Sequence, residues 1–235
     1  MKKQTALLVL FLFYLSPMAI GQSDGNYDYT KEFTWGINKN TNGGLIGGAV
    51  MKFSRALNDQ QFRTIGFEII NVKHPKELKR PSHTGGQFQY GKSNHLFALR
   101  GQYGRDFILF KKAPQSGVQI NASITAGPTL GIVAPYYVVL GSTGKAEPYT
   151  DPSTIDQIQG SGSILDGLSS ASILPGLNAK TSISFEMGAF KSNVTGFELG
   201  LLMEAYPKEV ELMLDHDNRA VYFSAFITLF YGNRK

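Results

Sequence analysis

The strictest constraint in this sequence is a two-residue alternation in the last part of the chain. Apolar side chains occupy every second position from Val221 to Tyr231, and the intervening positions include Ser224 and Thr228. Successive side chains of a β-strand point to opposite faces, so this stretch predicts a strand with one uninterrupted apolar face. A chain made of such strands forms an all-β structure in which each sheet has an apolar and a polar face.

Seven earlier stretches repeat this alternation. Their apolar positions are, in chain order, Phe33, Trp35 and Ile37; Ala49, Met51 and Phe53; Ile65, Phe67 and Ile69; Phe97, Leu99 and Tyr103; Val118, Ile120, Ala122, Ile124 and Ala126; Ile183, Phe185, Met187 and Ala189; and Phe197, Leu199, Leu201, Met203 and Ala205. A strand that crosses a bilayer needs about 9 to 11 residues with alternating polarity. The eight stretches therefore predict an all-β, eight-stranded antiparallel transmembrane β-barrel.

Charged side chains share the parity of the small and polar residues. They are Glu32, Lys52, Glu68, Arg100, Glu186, Glu198 and Glu204. A barrel of eight strands is just wide enough for side chains to fill it, and unpaired charges inside it are costly. We therefore predict a charged, side-chain-filled lumen in which these residues form a paired network. A narrow channel is the alternative use of the same charges.

A water-soluble β-sandwich or a lipocalin-like barrel is the competing architecture, because it also alternates but turns its apolar face inward. The start of the chain favours the membrane barrel. Lys2 and Lys3 precede an apolar stretch that is too short to span a bilayer, and Ala19-Ile20-Gly21 is typical of a signal-peptide exit. We expect residues 1–21 to be a cleaved signal peptide and residues 22–235 to be one outer-membrane barrel domain.

Composition removes several other classes of protein. The chain has no Cys, so disulfide bonds and thiolate metal sites are excluded. Its formal net charge is +5, and loss of Lys2 and Lys3 leaves 5 − 2 = +3, which is too small to indicate nucleic-acid binding. We predict no cofactor and no metal site.

The even number of strands places both termini on the periplasmic side. The predicted periplasmic links are Ala56 to Phe62, Gly104 to Gly117 and Lys191 to Thr195, and the outer links include Pro75 to Lys92 and Gly141 to Asn178. The fifth stretch alternates from Val118 to Leu140, which is longer than a bilayer requires. Either it bends at Gly127-Pro128 or it projects beyond the membrane.

The long extracellular loop, Gly141 to Asn178, carries more apolar side chains than a freely solvated loop should expose. Its candidates for a partner contact are Ile155, Ile158, Ile164, Leu165 and Leu168, followed by Ile173 and Leu174. They either fold over the barrel mouth as a lid or dock on another protein.

The histidines are the basis of an alternative hypothesis, in which the protein is a lipid A deacylase or acyltransferase. Such a reaction needs a nucleophile or an activated water beside a histidine. The candidate groups are Ser93 near His95, Ser82 beside His83, and Asp215-His216-Asp217. Isolated histidines in polar loops are weak signals, so we predict no catalytic residue.

The chain resembles small outer-membrane barrels of the OmpA and OmpX type in strand number and lumen charge. Residues 107–112, 116–118, 127–132 and 135–137 also resemble uncharacterised outer-membrane proteins of Bacteroidota. This resemblance implies an outer-membrane location, and small barrels of that group sometimes serve as subunits of larger outer-membrane machines.

We therefore expect a non-enzymatic barrel that is an accessory subunit of a larger outer-membrane complex for assembly, secretion or transport. Its contacts would be the long outer loop and the periplasmic segment from Arg105 to Gln115. Outer-membrane lipids and lipopolysaccharide are its expected surroundings, with lipopolysaccharide phosphates near the basic group formed by Lys73, Lys76, Lys79 and Arg80. Other outer-membrane proteins are its candidate partners, and nucleic acid is not.

Overall fold

The structure is a computed structural model that describes residues 29–43, 47–111, 117–141, 144–187, 193–214 and 216–235. The predicted signal peptide, 1–21, lies outside these ranges, as do Ala189 of the predicted sixth strand and Asp215 of the histidine group.

Most of the described residues belong to β-structure. The strands are β1 (Lys31–Asn40), β2 (Gly48–Asn58), β3 (Gln61–Val72), β4 (Lys79–Pro81), β5 (Gln87–Gln89), β6 (Asn94–Phe110), β7 (Val118–Pro135), β8 (Tyr137–Leu140), β9 (Ala146–Pro148), β10 (Ile158–Ser161), β11 (Ser172–Met187), β12 (Asn193–Val210) and β13 (Arg219–Arg234). A 3₁₀ helix spans Pro152–Gln157, and a short α-helix, α1, spans Ile164–Leu168. None of the helices in the described ranges is long and apolar enough to cross a membrane.

Eight of these strands close into one antiparallel barrel in the order β1-β13-β12-β11-β7-β6-β3-β2. The predicted fold class is therefore confirmed. Following the paired residues from strand to strand around the barrel leads from Lys31 of β1 back to Thr41, just beyond the end of the same strand. The shear of the barrel is therefore 41 − 31 = 10 residues, and such a stagger tilts the strands as barrel closure requires. Glu32 pairs with Arg234 at one end of the barrel, which we call the terminal rim, and the long connections leave the opposite end, the loop rim.

Outward positions of the barrel strands carry large exposed apolar side chains. Trp35, Phe67, Ile124, Leu201 and Phe223 are each more than half exposed, whereas the residues between them on the same strands face inward. A water-soluble barrel would bury such side chains, so this belt is the lipid-facing surface of a transmembrane barrel.

Several strands extend further than the alternation predicted. Residues 104–110 continue β6 instead of forming a periplasmic link, because they keep pairing with β3 and β7. Likewise, β2 and β3 are joined by the two residues Asp59 and Gln60, and residues 172–178 belong to β11 instead of the long loop. The predicted link boundaries were wrong because strand pairing, not bilayer thickness, ends these strands.

The fifth predicted strand divides at its outer end. Its barrel part, β7, ends at Pro135, and residues 137–140 leave the barrel to pair with β9 and β10 in a separate sheet. Pairing with β11 is continuous through Gly127 and Pro128, so there is no bulge at that site. The strand therefore continues past Gly127-Pro128 to Pro135, and its outer end leaves the barrel.

The projecting segments form a folded cap over the loop rim. The cap contains the β4–β5 hairpin, the β10-β8-β9 sheet and α1. Its own apolar core is formed by Phe88, Tyr136, Val138, Tyr149 and Ile158.

Candidate functional site

The lumen of the barrel holds three layers of charged side chains. In the layer nearest the loop rim, the Arg100 guanidinium lies 3.3 Å from Glu68 and also contacts Glu204. Asn38 donates to Glu68 at 2.9 Å, and the Tyr206 hydroxyl donates to Glu204 at 2.7 Å. Each carboxylate in this layer therefore has a cationic partner and a neutral hydrogen-bond donor.

The middle layer contains two ion pairs. Lys52 Nζ lies 2.9 Å from Asp106, which also accepts hydrogen bonds from Thr64 at 2.8 Å and Ser123 at 2.5 Å. On the other side of the lumen, Lys180 Nζ lies 3.3 Å from Glu198, and Ser182 donates to the same carboxylate at 2.5 Å. The ammonium of Lys180 also lies 4.2 Å from the centre of the Phe226 ring.

Arg234 organises the layer at the terminal rim. Its Nε donates to Glu32 at 2.7 Å, its Nη2 contacts Glu186, and its guanidinium lies over the Tyr29 ring at 4.0 Å. Asn121 donates to the second oxygen of Glu186 at 2.5 Å.

The structure places all seven sequence-predicted lumen residues on the inner face of the barrel. It adds Asp106, Lys180 and Arg234, each of which pairs with a member of the predicted set. The three have the inner-face parity of their strands, but they lie in segments that the sequence interpretation had placed beyond the strand ends. The apolar alternation stops before it reaches them, because the outward neighbours Arg105, Thr181 and Asn233 are polar.

Between the charge layers, the side chains of the described residues fill most of the lumen. Two cavities between the charge layers measure about 20 and about 10 Å³, which is room for about one water each. Above the Arg100 layer the lumen becomes apolar, and Leu212 and Met213 from the β12–β13 connection pack there against Leu96 and Tyr222. The barrel is thus closed first by a charge network and then by an apolar plug.

A buried ion pair lies within the β3–β6 connection, and a backbone bridge between Lys92 and Met213 joins that connection to the plug. Lys92 Nζ donates to Glu77 at 2.7 Å, and both side chains are almost fully buried. Burial lowers the pKa of the Lys92 ammonium below its ordinary value, and the Glu77 carboxylate opposes that effect. Backbone bonds from Leu214 to Gly91 and from Tyr136 to Ser93, both 2.8 Å, join three connections into one body.

The apolar residues of the long loop divide between lid and surface. Ile158 is 1% exposed within the cap core and Ile155 packs against it, so these two belong to the lid. Ile164, Leu165 and Leu168 on α1 are 47, 72 and 41% exposed. The sequence offered a lid and a partner surface as alternatives. The structure places Ile155 and Ile158 in the cap and leaves the three α1 side chains exposed, because α1 packs on the end of β7 through its buried Gly167.

Within the described residues, the two serine–histidine candidates do not assemble a nucleophile and base. Ser82 donates to the carbonyl of Gln159 at 2.6 Å, and Ser93 donates to Glu211 at 3.1 Å. Within the described ranges neither serine hydroxyl is hydrogen-bonded to a histidine ring, which is the contact that nucleophile activation needs. His83 instead lies 3.3 Å from Asp156 on the solvent-exposed surface. No group of three or more metal-ligating side chains occurs in those ranges either.

No protein-family model and no curated protein matches this chain. Solved structures with a similar barrel include the attachment invasion locus protein Ail of Yersinia pestis, at 9% identity over 88% of this chain and 97% of Ail, with a TM-score of 0.38. Neisserial surface protein A matches at 9% identity over 88% and 96% of the two chains, with a TM-score of 0.40. The N-terminal barrel domain of Pseudomonas aeruginosa OprF matches at 8% identity over 88% and 98%, with a TM-score of 0.36.

Proposed function

We propose that this protein is a non-enzymatic barrel of the bacterial outer membrane that docks another outer-membrane protein through α1 and thereby acts as an accessory subunit of a larger complex. The observation that carries the proposal is the exposed apolar patch formed by Ile164, Leu165 and Leu168, which we call the α1 patch.

The position of the α1 patch favours a protein partner over lipid. Helix α1 packs against Pro135, the last residue of an 18-residue strand, whereas about 9 to 11 residues suffice to cross a bilayer. The patch therefore lies beyond the lipid-facing belt, where apolar side chains would otherwise meet water.

The α1 patch is also held in a fixed place. Ser163 caps α1 by accepting from the Leu165 backbone N–H at 3.2 Å, and Asp166 accepts from the Ser163 backbone N–H at 3.2 Å. A rigid patch loses little conformational entropy on binding, which favours recognition by a folded surface. The occupant that fits is an apolar surface of a second outer-membrane protein just above the membrane.

Site-specific photo-crosslinking in intact cells tests this function. A benzophenone amino acid at position 165 should give a discrete crosslink to an integral outer-membrane protein, and one at the lipid-facing position of Ile124 should not. Leu165→Asp together with Leu168→Asp should abolish co-purification of that partner in mild detergent. Leu78→Asp, at an exposed apolar position elsewhere in the cap, is the matched control and should retain the partner. Crosslinks at position 165 to lipid alone would overturn the proposal.

A further inference from the structure

A row of basic side chains crosses four neighbouring strands at the terminal rim. Lys31 of β1 pairs with Arg55 of β2, Arg55 pairs with Arg63 of β3, and Arg63 pairs with Arg105 of β6. All four residues are exposed and have the outward parity of their strands. We call Lys31, Arg55, Arg63 and Arg105 the basic row.

The basic row has little internal charge compensation. Within the described ranges no carboxylate lies within ion-pair distance of Lys31, Arg55 or Arg63, and Arg105 donates only to the neutral Gln61 side chain, at 3.2 Å. The nearby Glu32 carboxylate is held by Arg234 at 2.7 Å. Like charges directly opposite each other on neighbouring strands repel, so four in succession favour an external anion.

An apolar groove begins beside the basic row on the same outer face. Its volume is about 500 Å³, and its apolar walls are Phe33, Phe53 and Ile65. The rings of Phe33 and Phe53 lie 4.7 Å apart, which gives the groove a continuous aromatic wall. Its charged part is lined by Lys31, Arg55, Arg63 and Lys235, and by Glu32, whose carboxylate is paired with Arg234. The groove therefore offers cations for a phosphate at one end and an apolar track for hydrocarbon chains.

Among the residues that the structure describes, the arrangement is confined to one side of the barrel. On the opposite side, the outward residues of β11, β12 and β13 towards the terminal rim are uncharged: Phe185, Met187, Thr195, Phe197 and Tyr231. A lipid-facing Arg is costly at mid-bilayer and nearly neutral near an interface. The basic row thus fits the headgroup level of the leaflet that meets the terminal rim, and its one-sidedness indicates a localised site.

We infer that the basic row and its groove bind an anionic glycerophospholipid of that leaflet. The Arg55 and Arg63 guanidinium groups would hold the headgroup phosphate, since planar forked donors match phosphate oxygens. The acyl chains would lie along Phe33, Phe53 and Ile65. This site uses none of the residues of the α1 patch and does not depend on that proposed function.

The single tryptophan of the chain gives a direct test. Trp35 lies two residues from Phe33 on the same outward face of β1 and is half exposed to lipid. The protein, reconstituted in phosphatidylcholine vesicles, would be titrated with dibrominated phosphatidylglycerol and, separately, with dibrominated phosphatidylcholine. Bromine quenches tryptophan only at short range, so a bound lipid quenches more than its bulk fraction predicts.

Phosphatidylglycerol should quench Trp35 preferentially, and Arg55→Gln with Arg63→Gln should reduce that preference about thirtyfold, as the loss of two cations beside an anionic lipid implies. Lys39→Gln is the matched control, because Lys39 lies on the same face at the other end of β1. It should leave the preference unchanged. Equal quenching by the two lipids in the unaltered protein would overturn the inference, as would a preference that survives the double substitution.

A competition experiment distinguishes a site for the whole lipid from a site for its phosphate alone. Millimolar glycerol 3-phosphate, which has the phosphate but no acyl chains, should leave the quenching of the unaltered protein in place. Displacement of the brominated lipid by glycerol 3-phosphate would show a phosphate site instead of a lipid site and would overturn the inference. This measurement uses the unaltered chain, so it remains decisive if the double variant does not fold.

Discussion

Arg100 of β6 and Glu68 of β3 occupy paired positions on neighbouring strands, and their side chains meet in the lumen with Nη1 3.3 Å from Oε1. The same guanidinium contacts Glu204 of β12, which lies across the barrel. The Arg100 side chain therefore links β6 both to its neighbour β3 and, across the lumen, to the distant strand β12.

Arg100→Met should destabilise the barrel by about 3–5 kcal/mol, because it leaves two buried carboxylates without their cation. The free energy of unfolding would be measured by urea titration of the protein in detergent micelles. Arg105→Gln changes a residue of the same strand that faces outward near the terminal rim, so it should change stability by less than about 1 kcal/mol. Equal losses in the two variants would contradict the assignment of Arg100 to the network.

The lumen should not conduct ions. The charge layers and the Leu212–Met213 plug close it in series, so the unaltered protein should show no steps in a planar bilayer. Replacing Leu212 and Met213 together by Gly should also leave it closed, because the Arg100 layer remains. Steady conductance that changes when Arg100 or Glu198 is neutralised would restore the narrow-channel hypothesis.

The cap should unfold separately from the barrel. Ile158→Ala removes a side chain that is 1% exposed in the cap core, and such a cavity costs about 2–5 kcal/mol. Hydrogen exchange should then lose protection in β8 and β10 and retain it in β7 and β11. Leu165→Ala, in the same loop at a 72% exposed position, should leave both patterns unchanged. Loss of protection in β7 and β11 as well would contradict a separate cap core.

The sequence predicted the barrel and its two faces because parity is a local property of each strand. Glu68 and Arg100 could be assigned to the lumen from their immediate neighbours alone. Asp106, Lys180 and Arg234 were missed because no local signal marks where pairing with another strand stops. A lid over the barrel mouth was one of two alternatives, but its apolar core was not predicted, since Tyr136 meets Phe88 and Tyr149 only after segments that are distant in sequence have paired.

Acid should loosen the contact between the β3–β6 and β12–β13 connections through His74. Burial lowers the pKa of the His74 imidazole below its ordinary 6.5. A hydrogen bond to the Asp217 backbone opposes this effect, and the nearby His216, Arg219 and Lys76 side chains lower the pKa further. His74 Nδ1 accepts from the Lys76 backbone N–H at 3.2 Å, a bond that protonation at this nitrogen would remove.

A folded-state pKa below the unfolded value means that the His74 contribution to stability is complete above pH 6.5 and is lost as pH falls from 6.5 through the folded pKa. The ring resonance of His74, identified by its disappearance in His74→Gln, should titrate with a midpoint below 6.5 in an NMR experiment. Proteinase K should cut the β12–β13 connection faster in the unaltered protein than in His74→Gln at pH 5, and at equal rates at pH 7.5. A midpoint at or above 6.5, or equal cleavage rates at both pH values, would show that His74 does not control this contact.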